Sequence, residues 1–223
     1  MISALITAAG SSTRFGKNKM LVPIGGQPLL LRTVQRFAAC DEIEEIVVTA
    51  RATDLAHYTS LLDDFPTVRV VEGGRERVES LLNAIEASSG DILITHDGAR
   101  PLVPPALIRE LIACVHRTGA AMTAVNPTAT VKLTRGESME IADTLPRSNT
   151  WIAQTPQGFR RDILLEAARR AVRQRYFVPT DDSEIVAVMT GRTVTIVPGD
   201  HVNIKVTYPQ DVAIANQLYQ PCD

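Results

Sequence analysis

Short runs rich in β-branched residues alternate along the chain with longer segments of helical spacing, and this alternation restricts its fold more than any other feature. ISALIT (2–7), EEIVVT (44–49), TVRVV (67–71), DILITH (91–96) and AAMTAV (120–125) are nearly continuous in apolar residues. Strands read this way when helices cover both faces of their sheet. Between them lie PLLLRTVQRFAAC (28–40), ATDLAHYTSLLDD (52–64), ERVESLLNAIEAS (76–88) and PALIRELIACVHR (105–117), each with helical periodicity. The alternation predicts an α/β fold with a mostly parallel central sheet. Ligands of such folds sit beyond the carboxyl ends of the strands. The loops after Thr7 and His96 are therefore the first places to look for a site.

The rhythm breaks after Val125. Residues 127–157 alternate in short β-like pieces without a helix, and VKLTRGESMEIADT has the form of a hairpin turning at Arg135-Gly136-Glu137. Such an excursion predicts a β-arm that covers substrate or joins two subunits. Helical and strand patterns return with RRDILLEAARRAVRQ (160–174), DDSEIVAVMT (181–190), TVTIVPG (193–199) and PQDVAIANQLY (209–219). The expectation is one domain over residues 1–223 with an arm at about 127–157.

Composition sets the outer limits. A formal net charge of −2 over 223 residues argues against broad nucleic-acid binding, which needs a basic field. Cys40, Cys114 and Cys222 are odd in number and far apart, which fits a reducing compartment better than a disulfide scaffold. The histidines lack the ligand spacing of a zinc site. No targeting segment is apparent, and no run approaches the ~20 apolar residues of a membrane span. A soluble cytoplasmic protein, with neither nucleic acid nor membrane as partner, is expected.

Five stretches carry candidate chemistry. TAAGSSTRFGKNK (7–19) follows the first strand and brings Arg14, Lys17 and Lys19 together. It lacks the Gly-Lys-Ser/Thr ending of a P-loop and has Ser12 where a dinucleotide fingerprint needs its middle glycine. What remains is consecutive backbone N–H groups after the strand that can cradle phosphate oxygens, with Arg14 and Lys19 to neutralise charge. A solvated surface turn explains the loop alone equally well. In VEGGRERVES (71–80), Gly73 and Gly74 let a flat ligand approach the backbone, and Arg77 and Ser80 project from the helix start. A plain turn before a helix also fits. ITHDGARP (94–101) ends a strand in Asp97, suited to a metal, a ribose or a substrate hydroxyl, unless it merely pairs with Arg100. HVNIKVTYPQD (201–211) holds Lys205 near a short strand, aimed either at the cleft or at solvent. LPRSNTWIAQTPQGF (145–159) places Arg147 and Thr155 in the arm.

Taken together, AAG…R…K, GG-x-x-R-x-x-S, HD-x-AR-P, R-S…W-x-AQTPQ and NIKVT-x-P-x-D resemble, in order and over residues 2–215, the 2-C-methyl-D-erythritol 4-phosphate cytidylyltransferase family of the non-mevalonate isoprenoid pathway. The resemblance implies a Rossmann-like nucleotidyltransferase fold, a homodimer joined through the arms, and use of CTP with Mg²⁺ carried mainly on its phosphates. It implies that Arg14 and Lys19 contact the triphosphate and act in catalysis with Arg147 and Lys205. Ala8, Ala9, Gly10, Gly74, Arg77, Ser80 and Asp97 would line the nucleotide. Asp97, Arg100, Thr130, Arg147, Thr155 and Lys205 would hold methylerythritol phosphate, Thr130 and Arg147 from the partner's arm. Asn18, Met20, Ser12 and Arg75 depart from the family's usual residues. The reaction implied needs no general base, because its nucleophile is already an anion, and the sequence offers no Ser/His/Asp or Cys/His constellation. A ribitol-5-phosphate cytidylyltransferase of the same fold and a noncatalytic nucleotide-binding module remain the alternatives.

Overall fold

The structure, a computed structural model, describes residues 1–10, 15–174 and 177–220. The first half runs β1 (Ile2–Thr7), a small hairpin of β2 (Pro23–Ile24) and β3 (Gln27–Pro28), α1 (Leu29–Ala38), β4 (Glu45–Ala50), α2 (Leu55–Leu61), β5 (Val68–Glu72), α3 (Arg77–Ala87) and β6 (Ile92–Asp97). The second runs α4 (Pro105–Thr118), β7 (Ala120–Val125), β8 (Lys132–Thr134), β9 (Ile141–Thr144), β10 (Ile152–Arg160), α5 (Arg161–Val172), α6 (Asp182–Thr190), β11 (Thr195–Pro198) and α7 (Asp211–Leu218).

Seven strands form the central sheet in the order β11-β7-β10-β6-β1-β4-β5. All neighbours pair in parallel except β10, which is antiparallel to both β6 and β7. Successive side chains on a strand point to opposite faces, and the core divides accordingly. Ala4, Ile6, Ile46, Val48 and Ile94 face one apolar cluster with Leu30, Val34 and Phe37 of α1 and Leu111 of α4. Leu5, Val47, Leu93 and Phe159 face a second, with Leu81 and Ile85 of α3, Leu164 of α5 and Ile185 of α6. Each of these side chains is essentially fully buried and the larger ones contribute about 1.5–3 kcal/mol of transfer free energy each.

The helix ends follow their local chemistry. Glu76 and Glu79 form a reciprocal capping box at the start of α3, satisfying backbone donors that the first turn leaves open. At the other end of α3, Arg161 donates to the carbonyls of Ile85 and Ser88, and to Ser88 Oγ. Asp181 caps α6 by accepting from Glu184 N.

The predicted hairpin is present: β8 and β9 pair antiparallel, with Gly136 at φ 56° in the connection. The arm is shorter than the expected 127–157, however. Its last stretch is β10, inserted between β6 and β7 of the central sheet with a bulge between Ala153 and Gln157. Antiparallel insertion is available here because the chain returns from the arm along the sheet rather than through a crossover helix. The segment 52–64 is also less helical than its periodicity implies, with a 3₁₀ turn at Ala52–Asp54 before the short α2. Residues around Lys205 are coil that follows β11.

Strand order places the site. From β1 the sheet grows toward β4 and β5 on one side and toward β6 on the other, so the topology switches between β1 and β6. Thr7 and Asp97 are paired neighbours at the carboxyl ends of those two strands. Crevices at such switch points are the ligand sites of open α/β sheets.

Candidate active site

A cavity of about 570 Å³ opens over the carboxyl ends of β5, β4, β1 and β6. Crossing it in strand order, its wall is formed by Gly74 after β5, Thr49 and Arg51 at the end of β4, Ala9 and Gly10 after β1, and Asp97 closing β6. Lys19, Arg77, Ser80 and Lys205 join that wall from elsewhere in the chain.

Asp97 is its electrostatic centre. Lys205 Nζ lies 2.8 Å from Asp97 Oδ2, Arg100 Nε 3.5 Å from the same oxygen, and Arg77 Nη1 3.6 Å from Oδ1. Arg77 is held from behind by Asp182, whose Oδ1 accepts from Nη2 at 3.0 Å. Burial alone would push the Asp97 carboxyl up, yet Lys205, Arg77 and Arg100 hold it well below the usual carboxylate range. The Asp182 carboxylate, against the opposing effect of burial, holds the Arg77 guanidinium above its ordinary value. Three cations thus face two carboxylates, an excess of positive charge suited to an anion. Of the three contacts to Asp97, the one from Lys205 is short enough for a strong charge-assisted hydrogen bond.

Beneath Asp97 a buried polar chain fixes the strand end. The Asp97 amide donates to Thr155 Oγ1 at 3.0 Å, and Thr155 Oγ1 is 3.1 Å from His96 Nδ1. His96 Nε2 is 3.1 Å from the Arg100 carbonyl, which can only accept, so the ring carries its proton on Nε2 and accepts from Thr155 at Nδ1. A neutral ring agrees with burial, which lowers the His96 pKa to about 4. Asn203 extends this scaffold: its side chain donates to the Thr155 carbonyl, and its backbone carbonyl accepts from Arg100 Nη1.

The glycine turn is built for close approach. A Cβ on Gly73 would stand 2.6 Å from Ala9 Cβ, and one on Gly74 would stand 2.1 Å from Glu79 Cβ. Ser80 Oγ accepts from the Gly74 amide at 3.0 Å and is 3.1 Å from the Glu76 carbonyl, to which it can donate. Ser80 therefore staples the turn to α3.

Lys19 begins a 3₁₀ turn, Lys19–Leu21, capped by Asn18, whose side-chain oxygen accepts from Met20 N. Its Nζ donates to the Val206 carbonyl at 3.1 Å, joining the loop after β1 to the segment that carries Lys205.

The 2-C-methyl-D-erythritol 4-phosphate cytidylyltransferase family matches residues 2–220. The chain belongs to this family. It is 36% identical over 221 residues to the 2-C-methyl-D-erythritol 4-phosphate cytidylyltransferase of Geobacillus thermodenitrificans, covering 96% of this chain and 95% of that protein. The crystal structure of 4-diphosphocytidyl-2C-methyl-D-erythritol synthase from Anaerococcus prevotii superposes with a TM-score of 0.87 at 29% identity, over 97% of this chain and 94% of that one. The 2-C-methyl-D-erythritol 4-phosphate cytidylyltransferase of Thermus thermophilus does so with 0.78 at 28% identity, over 96% of each.

Of the residues named from sequence, the cytidylyltransferase fold brings Ala9, Gly10, Lys19, Gly74, Arg77, Ser80, Asp97 and Lys205 to one cavity. Arg14 lies outside the described residues. Ala8 is buried and donates to the Thr49 carbonyl. Arg100 and Thr155 stand behind Asp97 rather than on the wall, and Thr155 is part of the floor's hydrogen-bond chain instead of the arm. Thr130 and Arg147 are exposed on the arm, away from this chain's own cavity. Sequence reasoning missed Arg51 and Thr49, whose signal was position: they end β4 beside Thr7 on β1. It also missed Asp182, for which no local pattern points to Arg77.

Among the described residues no three His, Cys, Asp or Glu side chains converge as a metal cage. The cavity wall carries the carboxylates of Glu76 and Asp97, and Asp97 is already engaged by Lys205. Asp97 and Glu76 are the carboxylates that the wall could offer to a divalent ion.

Proposed function

We propose that this cleft transfers the cytidylyl group of CTP to 2-C-methyl-D-erythritol 4-phosphate, in isoprenoid precursor biosynthesis. A phosphate oxygen of methylerythritol phosphate attacks the α-phosphorus of CTP, the bond from that phosphorus to the bridging oxygen breaks, and pyrophosphate leaves with the electron pair. The product is 4-diphosphocytidyl-2-C-methyl-D-erythritol. The observation that carries this reading is a cation-rich cavity at the sheet's switch point in a chain whose family match spans residues 2–220.

Chemically, the obstacle is repulsion between a phosphate dianion and a triphosphate. Lys19, Lys205 and Arg77 all line the cavity and supply fixed positive charge where the two must meet. Positioning and electrostatic stabilisation are what phosphoryl transfer asks of a protein. Lys205 leaves its 2.8 Å contact with Asp97 only for a stronger anion, so Asp97 orients it before substrate arrives. Arg14 joins Lys19 on the triphosphate in this reading. Ala8, Ala9, Gly10 and Gly74 present backbone to the nucleotide, with Ser80 holding the Gly74 amide in place. When bound with CTP, Mg²⁺ would supply further neutralisation of the phosphate charge, and Asp97 is the side chain that would help to hold it. Thr130 and Arg147 complete the site of a second copy in a homodimer. The exposed apolar side chains of Leu133, Met139, Ile141 and Ile152 along the arm support that assembly. The cytoplasm is the proposed setting, in keeping with the free thiols of Cys40 and Cys114.

Pyrophosphate release with CTP and Mg²⁺, offered methylerythritol phosphate and ribitol 5-phosphate in parallel, tests the proposal. Release with the first substrate is expected. Release with ribitol 5-phosphate alone would keep the chemistry and overturn the substrate, and release with neither would overturn both.

A further inference from the structure

The end of β4 contributes two polar groups to the cavity wall that the mechanism above does not use. Thr49 Oγ1 is buried on that wall and has no hydrogen-bond partner among the described residues. Arg51, two positions further on, lines the same wall. Its Nε donates to Asp54 Oδ2 at 2.7 Å, and this ion pair is graded in exposure, 37% for the arginine side chain and 16% for the aspartate. A guanidinium that spends its Nε–H on an anchor keeps its Nη donors for a ligand, already oriented.

Asp54 is itself held. Asn18 Nδ2 donates to Asp54 Oδ1 at 3.2 Å and lies 3.0 Å from the hydroxyl of Tyr58, a side chain that is 1% exposed. The same Asn18 caps the turn that begins with Lys19. One hydrogen-bonded network therefore fixes two cavity cations, Lys19 from the loop after β1 and Arg51 from the loop after β4. Strand order sets Arg51 between the Gly74 turn after β5 and the Gly10 loop after β1, so a ligand spanning those two loops passes it.

We propose that Arg51 is a further binding residue for the phosphate chain of the nucleotide, with Asp54 and Asn18 as positioning residues that set its guanidinium and Lys19 on one wall. The inference rests on the cytidylyltransferase reading for the identity of the nucleotide. The ligand chemistry it requires is a polyphosphate, engaged beyond the α-phosphate.

Calorimetric binding of CTP, CMP and inorganic pyrophosphate to the full-length protein and to Arg51→Ala, Arg51→Lys and Asp54→Asn tests it. Arg51→Ala is expected to weaken CTP and pyrophosphate about tenfold, the scale of one charge-assisted hydrogen bond, with CMP changed much less. Arg51→Lys should recover part of that loss, and Asp54→Asn should raise the KM for CTP by a larger factor than it lowers kcat. Equal weakening of CTP and CMP, or a lowered Tm with all three affinities intact, would reduce Arg51 to a structural clip and overturn the proposal. Loss of phosphate-chain selectivity in Arg51→Ala, in a protein that releases no pyrophosphate from CTP and methylerythritol phosphate, would support Arg51 while contradicting the cytidylyl reaction.

Discussion

His96 sits directly before the central carboxylate of the site, and burial holds it neutral at a pKa of about 4 against an ordinary 6.5. In the unfolded chain the ring takes up a proton below about pH 6.5, whereas the folded protein resists until about pH 4. Stability therefore falls as pH drops through that interval, and the loss attributable to this one group is about 3 kcal/mol. His96→Gln should be destabilised at pH 7, and the deficit should shrink by that amount at pH 4 when both proteins are unfolded in urea. A pH-independent deficit would mean that the ring is not the buried titrating group. Asp97 behaves in the opposite sense to a simple buried acid: its carboxyl lies well below the usual range, so its contribution is present above an ordinary carboxylate pKa and is lost only in strong acid. Asp97 is thus ionised throughout the neutral range. The Lys19 side chain lines the cavity, with its Nζ donating to the Val206 carbonyl beside Lys205. Lys19→Ala should lower kcat/KM by a factor on the order of 10²–10³, the usual loss for one preorganised donor, with Tm nearly unchanged. Near-normal turnover would take Lys19 out of the mechanism.

At the scale of elements, the turn after β5 and the loop after β1 act as one unit because Gly73 packs closely on Ala9. A Cβ at Gly73 would lie 2.6 Å from Ala9 Cβ and 3.0 Å from Ser80 Oγ, neither of which belongs to a flexible side chain. Gly73→Ala is expected to cost about 1–3 kcal/mol of stability, as overpacking does, and to raise the KM for CTP; thermal denaturation and steady-state kinetics read the two effects. The strands that frame this unit were legible in the sequence because each is buried on both faces, so ISALIT, EEIVVT and DILITH read as nearly unbroken apolar runs. The hairpin of the arm was legible from Gly136 between two polar-apolar alternations. TWIAQTPQG was not, because a proline-containing stretch rich in polar residues resembles a loop; Gln154, Thr155 and Gln157 are nevertheless buried in β10, each with hydrogen bonds that satisfy it. Such side chains are set by partners distant in sequence, as Gln157 is by Ser183, and no local period encodes them. The same holds for Arg51, whose place on the wall depends on β4 lying between β1 and β5.

For the whole molecule, the arm carries apolar side chains outward: Met139 is 91% exposed and Ile141 60%. The proposed homodimer would cover this surface and bring Arg147 to a second cleft. Light scattering should return twice the mass of the 24.3 kDa chain, and Met139→Asp combined with Ile141→Asp should give a folded monomer with much reduced turnover. A monomeric wild-type protein with full activity would contradict the shared site. Within each cleft, cations from the loop after β1, the start of α3 and the coil before α7 converge on one cavity, while the buried histidine next to it is neutral and bonded to the scaffold through both ring nitrogens. In the proposed mechanism catalysis is by placement of charge, without proton transfer from the protein. The most direct test is the pH dependence of kcat with CTP and methylerythritol phosphate under saturating Mg²⁺. Once the substrate phosphate is fully ionised, above about pH 7, kcat should be flat to about pH 9. A bell-shaped profile across that interval, with a limb that vanishes on substitution of a cleft residue, would contradict it and assign that residue as a general acid or base.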